Sequence, residues 1–184
     1  ELDEAEQVLW TQQLAWGYGT QPPLYTWLQW ALFQLFGVSV FSLALLKNLL
    51  LAGTYGFTFL AARALLPLPL ALLSAAAMLL IPQIGWESQR DLTHSVICTT
   101  MAAATLWLTV RLLQRPHPAA YLALRLCAGL GVLGKYSLAA YALALLGALL
   151  IARETRALLH YRWLLACVAV ALAVLAPHGL WLLS

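Results

Sequence analysis

The chain has little charge. Only 9% of its 184 residues are Asp, Glu, Lys or Arg, against roughly 25% in an ordinary soluble domain. That scarcity excludes a conventionally solvated globular surface. The ten Lys and Arg are scattered, and the net charge is only +3. With no basic block, nucleic acid is not an expected partner. Cysteine is also scarce: Cys98, Cys127 and Cys167 all lie in apolar runs. An odd number in such settings excludes a disulfide framework and marks small buried hydrophobes. Closely spaced ligand sets such as H-x-x-x-H are missing. No metal site is therefore assigned, although a divalent metal stays open as a cofactor.

What the chain does have is apolar helix. It is 63% hydrophobic, and runs long enough to cross a bilayer recur, each needing about 20 mostly apolar residues. The expected fold class is all-α, a polytopic helical membrane protein. The chain opens on Glu1 and stops at Ser184 inside the apolar run HGLWLLS. The expectation is a piece of a longer protein, with a span upstream and more beyond.

Residues 1–30 stand apart. They hold four of the seven carboxylates (Glu1, Asp3, Glu4, Glu6), a Pro-Pro pair and the tryptophans Trp10, Trp16, Trp27 and Trp30. Asp3 and Glu6 have the spacing of a capping box at a helix start. Gly17, Gly19 and Pro22-Pro23 break the chain, and proline suits the first turn of a new helix. From there Leu24, Trp27, Leu28, Ala31, Leu32 and Leu35 fall on one helical face, with Thr26, Gln29 and Gln34 elsewhere. Such a helix is expected to lie along the bilayer surface. Residues 1–36 thus form an outer loop with two interfacial helices, and 37–184 a transmembrane region of about six spans.

Those spans are expected over 41–66, 70–84, 95–112, 119–134, 136–152 and from 163 onward. A polar loop is expected over 85–94, and Lys47 and Asn48 interrupt the first span. Placing Arg63, Arg111, Arg115, Arg153, Arg156 and Arg162 on one side puts six of the ten cations there, and that side is cytoplasmic by the positive-inside rule. The acidic opening segment, Arg90, Asp91 and Lys135 then share the other, periplasmic or exterior, face of an inner membrane.

Several motifs carry two meanings. Gly129, Gly131 and Gly134 match G-x-G-x-x-G, but a dinucleotide site needs a preceding strand and a later acidic residue. Inside an apolar helix, small residues instead allow close helix packing. Asp3 and Glu4 can cap a helix or supply a general base. Lys135 can snorkel, but an ionisable residue at membrane depth is a functional hypothesis by default. Arg90, Asp91 and His94 form either a solvated loop or part of a site. A secondary transporter and a non-catalytic assembly protein remain alternatives. The transporter would call for related halves and ionisable groups near the midplane.

Asp3-Glu4-Ala5, then Gly17-Tyr18, then Gln21-Pro-Pro-Leu-Tyr-Thr-Trp27 resembles the first outer loop of lipid-dependent membrane glycosyltransferases of the GT-C class. Pro82, Arg90-Asp-Leu-Thr-His-Ser95 and Gly129-x-Gly-x-Leu-Gly-Lys135 are similar to that group too. The subgroup covers protein O-mannosyltransferase-like enzymes, the lipid A aminoarabinose transferase and the rhizobial lipopolysaccharide core transferases. The resemblance implies a GT-C-like fold, a polyprenyl-phosphate sugar as donor and an envelope acceptor that is lipid, glycan or protein. It puts Asp3 on the catalytic base, Glu4 on its carboxylate neighbour and Lys135 on a basic donor-binding position. Gln21 departs from the pattern, because the group often has Lys or His there. Arg90 and Lys135 are then the better cations for the donor phosphate, with Gln21 a hydrogen-bonding substitute. Tyr25, Asp91 and His94 are expected to position donor or acceptor.

Overall fold

The structure is a computed structural model that describes residues 2–90, 93–152, 155 and 161–183. The secondary structure in those residues is helical. Helix α1 (Leu2–Trp10) leads through a broken stretch to α2 (Leu24–Phe36). Pro22-Pro23 opens α2, and Gly37 closes it at φ +76, donating its N–H to the Phe33 carbonyl. A left-handed φ of that kind favours glycine. Ser39 then caps α3 (Val40–Arg63), its Oγ accepting from the Ser42 N–H at 3.3 Å.

Helix α4 (Leu68–Ala77) starts on the Pro67 and Pro69 punctuation and runs into a tighter turn, Met78–Leu80. Pro82 supplies no N–H, and here the chain bends by 74°. It continues as a wide turn, Gln83–Glu87, and a single turn, α5 (Ser88–Arg90). The bend folds tightly, because a Cβ on Gly85 would lie 2.2 Å from the Leu79 carbonyl oxygen. The expected polar loop over 85–94 is thus helical as far as Arg90. Its backbone continues past proline by switching hydrogen-bond register, which composition does not reveal.

Four longer helices follow: α6 (His94–Gln114), α7 (Pro118–Gly134), α8 (Ser137–Ile151) and α9 (Tyr161–Leu182). Helices α3 and α6 are long and apolar enough to cross a membrane, and the bent pair Leu68–Leu80 with Gln83–Arg90 makes a third candidate. Pro118–Gly134, Ser137–Ile151 and Val168–Leu182 are apolar but shorter. At about 1.5 Å per residue, the 24 residues of α3 reach about 36 Å.

Helix α3 packs along α6, α6 along α7, and α7 along α9. The seams use small and hydroxyl side chains, as membrane helices do. Thr54 and Thr100 share a 3.0 Å hydrogen bond between α3 and α6, and Thr100 also donates to the Leu50 carbonyl. On α7, Gly129 faces Ala171 and Val174 of α9, Gly131 faces Leu138 and Met101, and Gly134 faces Ile97. These glycines lie inside a helix and meet neighbouring helices. One apolar core gathers Leu24, Tyr25, Leu46, Ile97 and Leu133, and another Leu51, Ile84 and Val96. Leucines such as Leu49, Leu72, Leu73, Leu143 and Leu172 point outward, the arrangement a lipid-facing surface requires.

Helix α2 follows the same inside-out logic. Leu28, Ala31 and Leu35 are exposed, while Thr26, Gln29 and Phe33 are buried. Helix α1 departs from the expected start. It begins at Leu2, so Asp3 sits within its first turn and not at a cap. Its charge still favours that helix end through the macrodipole.

Candidate active site

Three consecutive residues at the head of α6 organise one end of the molecule. Thr93 Oγ1 donates to Asp3 Oδ2 at 3.4 Å. His94 reaches Gln7 of α1 through Nε2, at 3.4 Å, and the Gly134 carbonyl at the end of α7 through Nδ1, at 3.3 Å. Ser95 Oγ accepts from Lys135 Nζ at 2.6 Å. The acidic opening segment and the 134–135 junction are therefore joined through a single tripeptide. Lys135 lies in extended backbone between α7 and α8, which turns its ammonium back toward α6.

The hydrogen-bond directions fix the state of His94. The Gly134 carbonyl can only accept, so Nδ1 carries the proton. Thr26 Oγ1 donates to Gln7 Oε1 at 2.9 Å, which leaves the Gln7 amide N–H to donate to His94 Nε2. A neutral imidazole satisfies the whole chain. The His94 ring is buried at 5% exposure, with Trp10 and Tyr25 rings 6.1 and 5.4 Å away. Both its nitrogens are engaged within the protein.

Tyr25 is 1% exposed. Burial raises its phenol pKa, and the nearby Glu4 and Asp3 charges raise it further. It remains a neutral hydrogen-bond donor beside the carboxylates.

The two adjacent carboxylates have different partners. Glu4 Oε1 accepts from Lys47 Nζ of α3 at 2.8 Å. Partial burial alone would raise the Glu4 pKa, but the hydrogen bond and charge of Lys47, together with the nearby chain-terminal amine, hold the carboxyl below its ordinary range. Asp3 accepts the long bond from Thr93. Lys47 was legible in the sequence only as an interruption of the first span.

Other expected residues lie apart. Arg90 is exposed, with its guanidinium 5.6 Å from the centre of the Trp86 ring. Gln21 pairs its backbone with Tyr18, and its half-buried side chain makes no hydrogen bond to the cluster among the described residues. Asp91 lies outside the described residues. Among the described residues, no three His, Cys, Asp or Glu side chains come together as a metal site.

The stretch after α1 and one face of α2 line an apolar groove of about 410 Å³, formed by Leu14, Ala15, Trp16, Trp27, Trp30 and Ala31. Its wall is held by Trp27 Nε1 donating to the Ala15 carbonyl at 2.8 Å. Tyr18 donates to the Gln13 carbonyl and accepts from the Ala15 N–H. His178 of α9 also donates from Nδ1 to the Trp16 carbonyl, while its Nε2 lies 2.6 Å from the Tyr136 hydroxyl. Gly17 packs against the Trp181 ring, where any Cβ would clash at 2.2 Å. In the sequence, a lone histidine after Pro177 near a helix end gives no signal of these contacts.

Over an alignment of 184 positions that covers 99% of the chain, it is 40% identical to the lipopolysaccharide core galacturonosyltransferase RgtA of Rhizobium johnstonii. It is 42% identical over the same share to the lipopolysaccharide core galacturonosyltransferase RgtB of that organism. The chain spans 37% of the length of each. No solved structure matches it. Residues 20–181 match the dolichyl-phosphate-mannose-protein mannosyltransferases. By that match over most of its length, the chain belongs to the dolichyl-phosphate-mannose-protein mannosyltransferase family, glycosyltransferases of the GT-C type.

Proposed function

We propose that this chain carries the reaction centre of an inner-membrane glycosyltransferase that modifies the lipopolysaccharide core. Its donor is a sugar on a polyprenyl phosphate, and its active end, the outer loop 1–36 with the head of α6, faces the periplasm. The 37–184 region forms the membrane scaffold. The observation that carries this reading is the convergence of Asp3, Tyr25 and Lys135 on residues 93–95.

The chemistry needs a proton acceptor, a stabilised leaving group and a place for a lipid. Asp3 takes the proton of the acceptor hydroxyl as its oxygen bonds to the anomeric carbon of the sugar. The bond from that carbon to the phosphate oxygen breaks, and the polyprenyl phosphate leaves with the electron pair. Lys135 stabilises the departing charge, in a half-buried setting where a fixed cation is worth more than in water. Arg90 can join it at the exposed rim. Glu4, held by Lys47, is a supporting carboxylate. Gln21, Tyr25 and Asp91 bind or orient donor and acceptor, and His94 orients the segments around them. The apolar Trp-lined groove suits the isoprenoid chain next to the phosphate. A galacturonosyl group is the first sugar to test, because both named relatives are galacturonosyltransferases.

The test is donor choice by the full-length enzyme in membranes. Transfer to a lipopolysaccharide core acceptor is expected from a polyprenyl-phosphate-linked galacturonic acid. Transfer from a nucleotide-linked sugar alone, with none from the lipid-linked one, would sink the reading.

A further inference from the structure

The Glu4–Lys47 pair is built unlike a surface ion pair. The Lys47 side chain is 3% exposed and that of Glu4 27%. The partners come from the first turn of α1 and the second turn of α3, 43 residues apart. An ammonium buried this deeply is costly unless paired, so the contact ties α1 firmly to α3. Successive residues on a helix point about 100° apart. With Glu4 drawn onto α3, Asp3 turns to a different neighbour, and its Oδ2 meets Thr93 at the head of α6. Two adjacent carboxylates thereby face two different helices.

We infer that Lys47 is a positioning residue: by holding Glu4 it selects Asp3 as the carboxylate presented to the acceptor hydroxyl. This rests on the glycosyl transfer proposed above. The same contact occupies Glu4 Oε1, so the pair also ties up the competing carboxylate. Lys47 acts through Glu4 and does not touch the donor phosphate.

The test uses the full-length enzyme with a polyprenyl-phosphate sugar and its acceptor. The double variant Glu4→Gln/Lys47→Met removes both charges at similar volume and leaves no unpaired buried ion. Its kcat should fall about 10–100-fold, the loss that misplacing a reacting group by about 1 Å produces. Its donor KM should stay within about twofold, since the interaction removed is not one that binds donor. Lys47→Arg, which can keep the ion pair, should retain most of kcat. Wild-type kcat in the double variant would overturn the inference. So would a raised donor KM at unchanged kcat, which would make Lys47 a phosphate ligand. If the double variant does not fold, the charge-reversed Glu4→Lys/Lys47→Glu protein decides. Recovery of kcat relative to either single reversal supports the latch, and no recovery in a folded protein overturns it. Asp3→Asn in the same assay separates the two levels: if it stays fully active, the assignment of Asp3 falls, whatever Lys47 does.

Discussion

The two ends of α6 belong to one helix and behave differently. At its head, Thr93, His94 and Ser95 each engage a different segment of the chain, and Thr93 and His94 are buried. At its tail, Arg111 lies over Trp107 of its own helix, and Gln114 reaches the Ala64 carbonyl from an exposed position. Arg63, at the end of α3, donates to the nearby Leu66 carbonyl and is also exposed. The tail charges are local and solvated, the pattern of cations that set orientation at a membrane surface. The head groups are interlocked over up to 90 residues of sequence. Polar groups held by several independent elements are preorganised, which is what a reaction centre needs and a topology signal does not.

This contrast can be broken by substitution. The largest effect after that of the proposed base Asp3 should come from Lys135→Ala. If Lys135 stabilises the leaving phosphate as proposed, its loss should lower kcat by about 10²–10³-fold. The matched change at the tail, Arg111→Ala, should alter stability by no more than about 0.5 kcal/mol and leave transfer rates unchanged. Equal losses at both ends would erase the distinction.

Packing beneath the head gives a smaller effect. A Cβ on Gly131 would lie 1.9 Å from Leu138 Cδ2 and 3.1 Å from Met101 Cβ. Gly131→Ala should destabilise by about 1–3 kcal/mol through overpacking, read from thermal unfolding in detergent. Gly134→Ala meets Ile97 only at 3.0 Å and should cost less. The reverse order would contradict the packing assigned to the two glycines.

The smallest effect concerns pH. Lys47, with the chain-terminal amine, holds the Glu4 pKa below its ordinary 4.5, so the folded state favours the ionised carboxylate. The contribution of the pair to stability is fully present above that ordinary value. It is lost as pH falls through the depressed one. Acidification should therefore lower the melting temperature of the parent protein more than that of the Glu4→Gln/Lys47→Met variant. Parallel melting curves across that range would show that the pair contributes nothing.

Much of this architecture is legible in the sequence because membrane helices announce themselves by length and composition. Pro22-Pro23 and Gly37 bound α2, and Val40–Arg63 and His94–Gln114 stand out as long apolar runs. The shared end of Asp3 and Lys135 follows from counting spans. Lys47 is harder, because a lysine near the end of an apolar run looks the same whether it snorkels or meets Glu4 from 43 residues away. The default applied to Lys135, that an ionisable residue at membrane depth is a functional hypothesis, would have singled it out. The helical turn over Gln83–Arg90 was hidden by its polar composition. His178 was hidden because a lone histidine gives no hint of the backbone carbonyl it will meet.

The most direct test of the central claim is single-turnover transfer by the full-length enzyme carrying Asp3→Asn, compared with Glu4→Gln. Asparagine keeps the shape of Asp3 but cannot take a proton, so the bond-forming rate should fall by about 10²–10⁴-fold while donor binding persists. Glu4→Gln should cost distinctly less. Undiminished turnover with Asp3→Asn, or a larger loss with Glu4→Gln, would contradict the assignment of the base.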